Sequence, residues 1–455
     1  MQNRIGIHIG MSFLEIAAKL NDEDHFRRYF LAEVSEADAI DQFLSDLDLP
    51  EKTNLQISTK WTERIVDKRI GAQMAMFVTE GFQNWPQLRQ PAFNKRVLRQ
   101  PFRNEAVIPS DYIFGISERT DASGKIEKAP NIEELEFLHS KLQLMDIKTI
   151  SIGFLHSHKN PENEQQVAKY FSELGYEVLC SHMQKEANEV SRWWRSAMDA
   201  YVYELFNEYK SQLSPVFEKH NLTAEYIDNH SKLFTEDKTR YFASRFGRAA
   251  SLREYHKKSQ HVLYLGLEEF TYINPQTTLE NFESEFGPIS VSNVKQQKMG
   301  IQPTQIISPC DWKIFQFEKR ELGFEPGPML MGKSVTPCFL DLLFVNGQMD
   351  SISSLEKQIR PNSKSRILES MYTYTKDTEF EGKLDELVNQ MRETAYKKLC
   401  IQLGKLVPAD ESIVLSGPLA KMMYPEIQSK IKSFQLELDK DCDFIDSLAA
   451  RELGA

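Results

Sequence analysis

From residue 55 to residue 180, short apolar runs alternate with longer segments of helical period, and this alternation most constrains the fold. Segments 55–58, 74–79, 113–119, 149–155 and 177–180 read as strands, and 61–70, 132–144 and 163–174 as the helices among them. Strands separated by helices assemble a mostly parallel sheet with helices on its faces, so the expected class is α/β. Ahead of this block, Arg4-Ile5-Gly6-Ile7-His8-Ile9-Gly10 alternates as a strand and 13–19 returns from it, with a helix following at 36–48. Many nucleotide-binding α/β folds open with such a strand-turn-strand.

A long helix is expected from 185 to about 218; its aromatics Trp193, Trp194, Tyr201, Tyr203 and Phe206 fit core packing between domains. Farther on, 262–266 and 271–273 could pair as a hairpin. Ile306, Ile307, Ile314 and Phe315 mark strands, and 339–344 reads as a buried strand or helix. A helix is expected over 379–406, then a strand at 412–416 that ends on Gly417-Pro418. Between 82 and 109 the pattern breaks into a long irregular stretch carrying Arg89, Lys95, Arg96, Arg99 and Arg103. These cations could meet an anionic ligand or form a solvated surface.

A chain of 455 residues has room for two or three domains. Its 55 Lys+Arg against 66 Asp+Glu argue against a nucleic-acid binder, which needs a basic surface. No apolar run is long enough to span a bilayer, and the N-terminus lacks the apolar core of a signal peptide. The cysteines Cys180, Cys310, Cys338, Cys400 and Cys442 are odd in number and form no CxxC pair. They read as reduced thiols without a disulfide framework or a zinc site, so a cytoplasmic location is expected. Only 20 residues are glycine, about 4% against a usual ~7%, so backbone can crowd a phosphate in few places.

Several stretches, in shared order, resemble one family. These are Lys68-Arg69-Ile70-Gly71-Ala72 with Phe77-Val78-Thr79-Glu80-Gly81-Phe82, and Ile116-Ser117-Glu118-Arg119 with Asp121-Ala122-Ser123-Gly124. Phe154-Leu155-His156-Ser157 with Asn160-Pro161 and Glu164 follows, then Glu189 and Arg192 with Asp199-Ala200-Tyr201-Val202. Gly323, Glu325-Pro326-Gly327-Pro328 and Asp341 extend the likeness more loosely. Together they resemble the A-type subunits of ATP-dependent hydantoinases and oxoprolinases, whose relatives include acetone carboxylase subunits. The resemblance implies the duplicated ribonuclease-H-like fold of the actin, hexokinase and Hsp70 group, with a cleft between two halves. Residues 1–184 would be an N-terminal-like domain and 185–455 a shortened, divergent A-like domain.

It also implies magnesium-ATP held between two glycine-rich hairpins, with phosphoryl transfer activating a cyclic amide for ring opening by water. Glycine admits backbone N–H groups around phosphate, and a carboxylate orients the magnesium shell. Here the first hairpin reads His8-Ile9-Gly10-Met11-Ser12 and the second Leu265-Gly266-Leu267-Glu268-Glu269, so both hairpin carboxylates are replaced. Glu268 and Glu269 would face the phosphate position, where two unit charges about 4 Å apart repel by roughly 4 kcal/mol at an effective dielectric of 20. The candidate cofactor-binding residues are Gly10, Ser12, Gly266 and Gly417, the last in a turn like the one that approaches adenosine in this superfamily. Candidate catalytic residues are His8, as an unconventional base, and Asp341. His156 and His158 would point to opposite faces of a continuing strand, and no metal ligands are expected. One reading is therefore an ATP-dependent hydrolase of cyclic amides. The alternative is a non-catalytic scaffold that binds a small ligand in the cleft or a partner, either a second hydantoinase-type subunit, as in a carboxylase-like assembly, or another copy of itself.

Overall fold

The computed structural model describes residues 3–85, 107–185, 188–256, 260–281, 290–303, 306–308, 313–315, 329–332, 337–345, 359–377 and 383–453. The chain begins with β1 (Asn3–Ile9), β2 (Phe13–Leu20) and β3 (Glu23–Phe30), then α1 (Glu36–Ser45), β4 (Thr53–Thr59) and α2 (Trp61–Lys68). Next come β5 (Met74–Thr79), β6 (Ile113–Ile116), β7 (Arg119–Thr120), β8 (Ile126–Lys128), α3 (Ile132–Leu144), β9 (Thr149–Gly153), α4 (Glu162–Glu173) and β10 (Glu177–Cys180). The long α5 (Glu189–Lys219), β11 (Ala224–Ile227), β12 (Leu233–Phe234) and α6 (Gly247–Tyr255) follow. The second half holds β13 (His261–Leu265), β14 (Phe270–Asn281), β15 (Ser290–Lys298), β16 (Ile306–Ser308), β17 (Lys313–Phe315) and α7 (Phe339–Val345). It closes with α8 (Ser363–Asp377), α9 (Leu384–Leu406), β18 (Ser412–Ser416), α10 (Ala420–Lys430), β19 (Gln435–Leu438) and α11 (Ile445–Arg451).

Two sheets repeat one plan. The first runs β12-β11-β4-β1-β2-β3 and the second β15-β14-β13-β18-β19. In each, three antiparallel strands lie to one side and two parallel strands join the first of them on the other. This is the duplicated ribonuclease-H-like fold, and the chain is α/β. A third, parallel sheet, β10-β9-β5-β6, is inserted between α2 and α5 with its own core. The sequence division at 184/185 precedes α5, whose Trp193, Trp194 and Phe206 join the first core, and β11, which pairs with β4.

Strand alternation explains how the halves meet. Ile5, Ile7 and Ile9 enter the first core, while Gly6 and His8 lie on the opposite face of β1. On that face α11 crosses so closely that a Cβ on Gly6 would come 2.1 Å from the Ser447 carbonyl oxygen. Alanines make the same contact for α6 and α11: Ala17, Ala249, Ala250 and Ala449 pack with Val262, Tyr264 and Ile445 in a seam between the sheets. The stretch expected as strand or helix at 339–344 is the helix α7, and the helix expected from 379 begins at Leu384. Residues 86–106, most of the irregular stretch, lie outside the described residues. Among the described residues, no helix is long and apolar enough to cross a membrane.

Candidate functional site

The turn between β1 and β2 and the turn between β13 and β14 face each other across the seam. The first is closed by Gly10 N–H donating to Phe13 O at 2.8 Å, the second by Gly266 N–H donating to Glu269 O at 3.0 Å. After the first closure, the amides of Met11, Ser12 and Phe13 converge on one point, and that point is the Glu268 carboxylate. Oε1 accepts from Ser12 N at 2.7 Å and Phe13 N at 3.0 Å, and Oε2 accepts from Met11 N at 3.0 Å. Glycine at position 10 is what permits this approach, since a Cβ there would lie 2.7 Å from Glu268 Oε1. The resemblance led to the expectation that Glu268 faces a phosphate. In the structure its carboxylate occupies the amide cradle itself.

Lys60 stands beside the cradle. Its N–H donates to Ile9 O at 2.8 Å, which ties the end of β4 to the first turn. The ammonium lies 3.5 Å from Glu268, 3.1 Å from Glu269 and 4.0 Å from Glu63. Arg248 on α6 bonds Glu269 and lies 3.8 Å from Asp446, and Lys298 reaches Glu63 at 3.0 Å and Glu269 at 3.5 Å. Burial alone would raise the Glu269 carboxyl, but Lys60 and Arg248 outweigh it and hold it at about 2. Glu63 is likewise kept ionised against burial, by Lys298 and Lys60.

His8 is 4% exposed, and its Nδ1 lies 2.8 Å from Ser58 Oγ. Burial lowers its pKa to about 4 with help from Arg248 and Lys60, although Asp446 opposes, so the ring is neutral at pH 7. Its partner across the hairpin register is Glu15, which burial pushes up to about 8 despite the neighbouring Arg28. His8, Gly10, Lys60, Arg248, Glu268 and Glu269 enclose only about 20 Å³, room for roughly one water molecule. A roomier cavity of about 160 Å³ adjoins it, walled by Lys60, Glu63, Arg248, Thr271 and Lys298. Thr271 is buried there, and its hydroxyl has no hydrogen-bond partner.

The structure therefore gathers His8, Gly10, Ser12 and Gly266 around the facing turns. Gly417 joins them from behind: at φ +99°, a Cβ there would lie 2.6 Å from Leu265 O at the end of β13, so glycine permits this close approach. Asp341 is engaged elsewhere. Fully buried at the start of α7, it accepts from Met329 N at 3.0 Å, Leu330 N at 2.9 Å and Cys338 N at 2.8 Å. His156 and His158 lie in a turn rather than a continuing strand, and both face Glu189, at 3.2 and 3.6 Å. The reading that sends them to opposite faces is thereby corrected. Lys60, Arg248 and Lys298 escaped sequence reasoning because the carboxylates they share, Glu268 and Glu269 above all, lie far from them in the chain or on other elements.

The residues present do not fit a magnesium nucleotide as arranged. His8 and Leu265, at the two facing turns, offer no carboxylate to orient a magnesium shell. Glu63 and Glu269 are paired with cations, and the amide cradle already holds an anion.

Residues 52–175 match the model of the hydantoinase/oxoprolinase N-terminal region. An uncharacterized protein of Methanocaldococcus jannaschii is 27% identical over 143 residues, which span 30% of this chain and only 21% of that relative. In overall fold the chain is similar to the nucleotide-free structure of an acetone carboxylase, with a TM-score of 0.79 at 14% identity over 99% of this chain and 70% of that one. It is also similar to an ATP-dependent caprolactamase from Pseudomonas jessenii, with a TM-score of 0.73 at 14% identity over 98% of this chain and 70% of that one. Residues 52–175 are thus similar to the N-terminal region of the hydantoinase/oxoprolinase family, and the chain as a whole shares the fold of these structures.

Proposed function

We propose that this protein uses its two-lobed cleft as a non-catalytic scaffold that binds a small polar ligand or a partner subunit, without ATP at the hairpins. The single observation that carries this reading is the Glu268 carboxylate, held by three backbone N–H groups and the Lys60 ammonium. A nucleotide phosphate would have to displace that carboxylate and accept its charge nearby. The 160 Å³ cavity beside Lys60, with charges of both signs and an unpartnered hydroxyl, is the proposed ligand position.

A second reading keeps ATP-dependent opening of a cyclic amide. The intact cradle favours it: the Met11, Ser12 and Phe13 amides still converge as a phosphate would require. Calorimetric titration of the purified chain with MgATP and with ADP separates the two. Absence of heat at millimolar nucleotide is expected on the scaffold reading. Binding at micromolar affinity would overturn it and direct the search to lactams and cyclic imides. Light scattering and co-purification test whether a further copy of the chain or a second subunit is the partner.

A further inference from the structure

β10 ends at Cys180, and the chain turns at once through a single 3-10 turn, Ser181–Met183. That turn brings His182 and Cys180 to Glu164 on α4. A thiol sulfur, a ring nitrogen and a carboxylate oxygen then lie within 4.8 Å of one another, the one such group among the described residues. Glu164 is fully buried and Cys180 is 6% exposed, while the His182 side chain keeps 18% of its surface in solvent. We propose that Glu164, Cys180 and His182 bind one divalent transition-metal ion of the zinc type, with water in the fourth position.

The donor set carries the proposal. Sulfur, imidazole nitrogen and carboxylate oxygen suit zinc, whose bonds of about 2.3 Å to sulfur and about 2.0–2.2 Å to nitrogen or oxygen place tetrahedral donors roughly 3.3–3.6 Å apart. Glu164 Oε2 and His182 Nδ1 are 2.6 Å apart, within hydrogen-bond distance. A metal between them needs them to part by about 0.7 Å, a small side-chain adjustment. The carboxylate is already aimed. Its Oε1 accepts from Phe154 N at 2.8 Å and Ser181 Oγ at 2.6 Å, and its Oε2 accepts from His182 N at 3.0 Å. Such outer hydrogen bonds orient a ligand and strengthen its hold on the ion. The exposed edge of His182 gives the ion an entry path. Sequence spacing concealed the group, since Glu164 lies 18 residues before His182 and no CxxC pair is involved.

The test uses the full-length chain, treated with a chelator and titrated with Co²⁺ under reducing conditions. Expected is a thiolate-to-cobalt charge-transfer band that saturates at one equivalent and is displaced by Zn²⁺. Cys180→Ser should abolish the band, and His182→Gln, at the partly exposed ligand, should weaken binding with the fold retained by circular dichroism. Ser181→Ala should keep the band but lower affinity about tenfold or more. Absence of the band in the wild-type chain overturns the proposal whatever the variants do. So does a band that survives in folded Cys180→Ser, which would assign it to another cysteine.

Discussion

Replacing Glu268 by alanine should open an anion site that the native chain keeps filled. The carboxylate accepts from the Met11, Ser12 and Phe13 amides and lies 3.5 Å from Lys60. Hydrogen bonds to a charged group contribute roughly 1.5–3 kcal/mol each, net of water. The three share one carboxylate and do not add independently, and water can refill a site in which the side chain is 18% exposed. A loss of about 2–4 kcal/mol follows, which in a domain of this size lowers Tm by on the order of 5–10 °C. The vacated amides and Lys60 then form a cradle for inorganic phosphate or pyrophosphate. Anion at about 100 times its Kd should return ~2.7 kcal/mol, most of what was lost. The assay is thermal unfolding of wild type, Glu268→Ala and Glu268→Gln across a series of phosphate, pyrophosphate and MgATP concentrations. The native chain should not respond, and Glu268→Ala should be restabilised progressively, as the logarithm of anion concentration above its Kd. Equal response of wild type and variant would refute the idea that Glu268 fills the cradle. Unchanged melting of a folded Glu268→Ala that ignores anions would refute the energetic reasoning itself.

Gly6→Ala should displace α11 from β1, since the new Cβ would meet Ser447 O at 2.1 Å and Arg451 N at 2.5 Å. A cost of about 3 kcal/mol or more is expected, read by urea unfolding and by faster proteolysis of the C-terminal helix. The His8 pKa falls from 6.5 to about 4 on folding, so its contribution to stability is complete above pH 6.5 and is lost as pH drops through 4. That amounts to about 3 kcal/mol, and His8→Gln should flatten the acid limb of a Tm-versus-pH profile. Glu15 behaves oppositely: its folded pKa of about 8 means stability is complete below pH 4.5 and lost as pH rises through 8. Glu15→Gln should remove that alkaline decline. Asp341→Asn should cost about 2–3 kcal/mol in thermal unfolding, by weakening acceptance from three backbone amides, and leave anion binding by Glu268→Ala unaltered.

Elements that carry their own pattern were legible. The strands β5, β10 and β18 and the helix α3 fall at their expected limits, because each strand is built on a continuous apolar run and α3 carries an apolar helical period in consecutive residues. β3 was not legible. Its sequence, EDHFRRYF, is polar along an edge, and Arg28 is buried only because Glu15 and Asp443 meet it from elsewhere. α11 is seven residues long and escaped notice, since its helicity depends on the glycine and alanines it packs against. The strand pattern likewise placed both hairpin turns, and the family resemblance led to the expectation that Glu268 faces a phosphate. Only the tertiary structure decided that Glu268 accepts from the amides of the first turn, because those amides lie up to 257 residues away. The same holds for Lys60, Arg248 and Lys298, and for Glu164 with Cys180 and His182. By itself the sequence determined most of the strands and helices that carry their own apolar run or helical period, since those follow from neighbours along the chain. Which charges are matched, which carboxylates are buried and what lies in the cleft depend on Coulomb and hydrogen-bond contacts between distant segments, which only folding brings within a few ångströms.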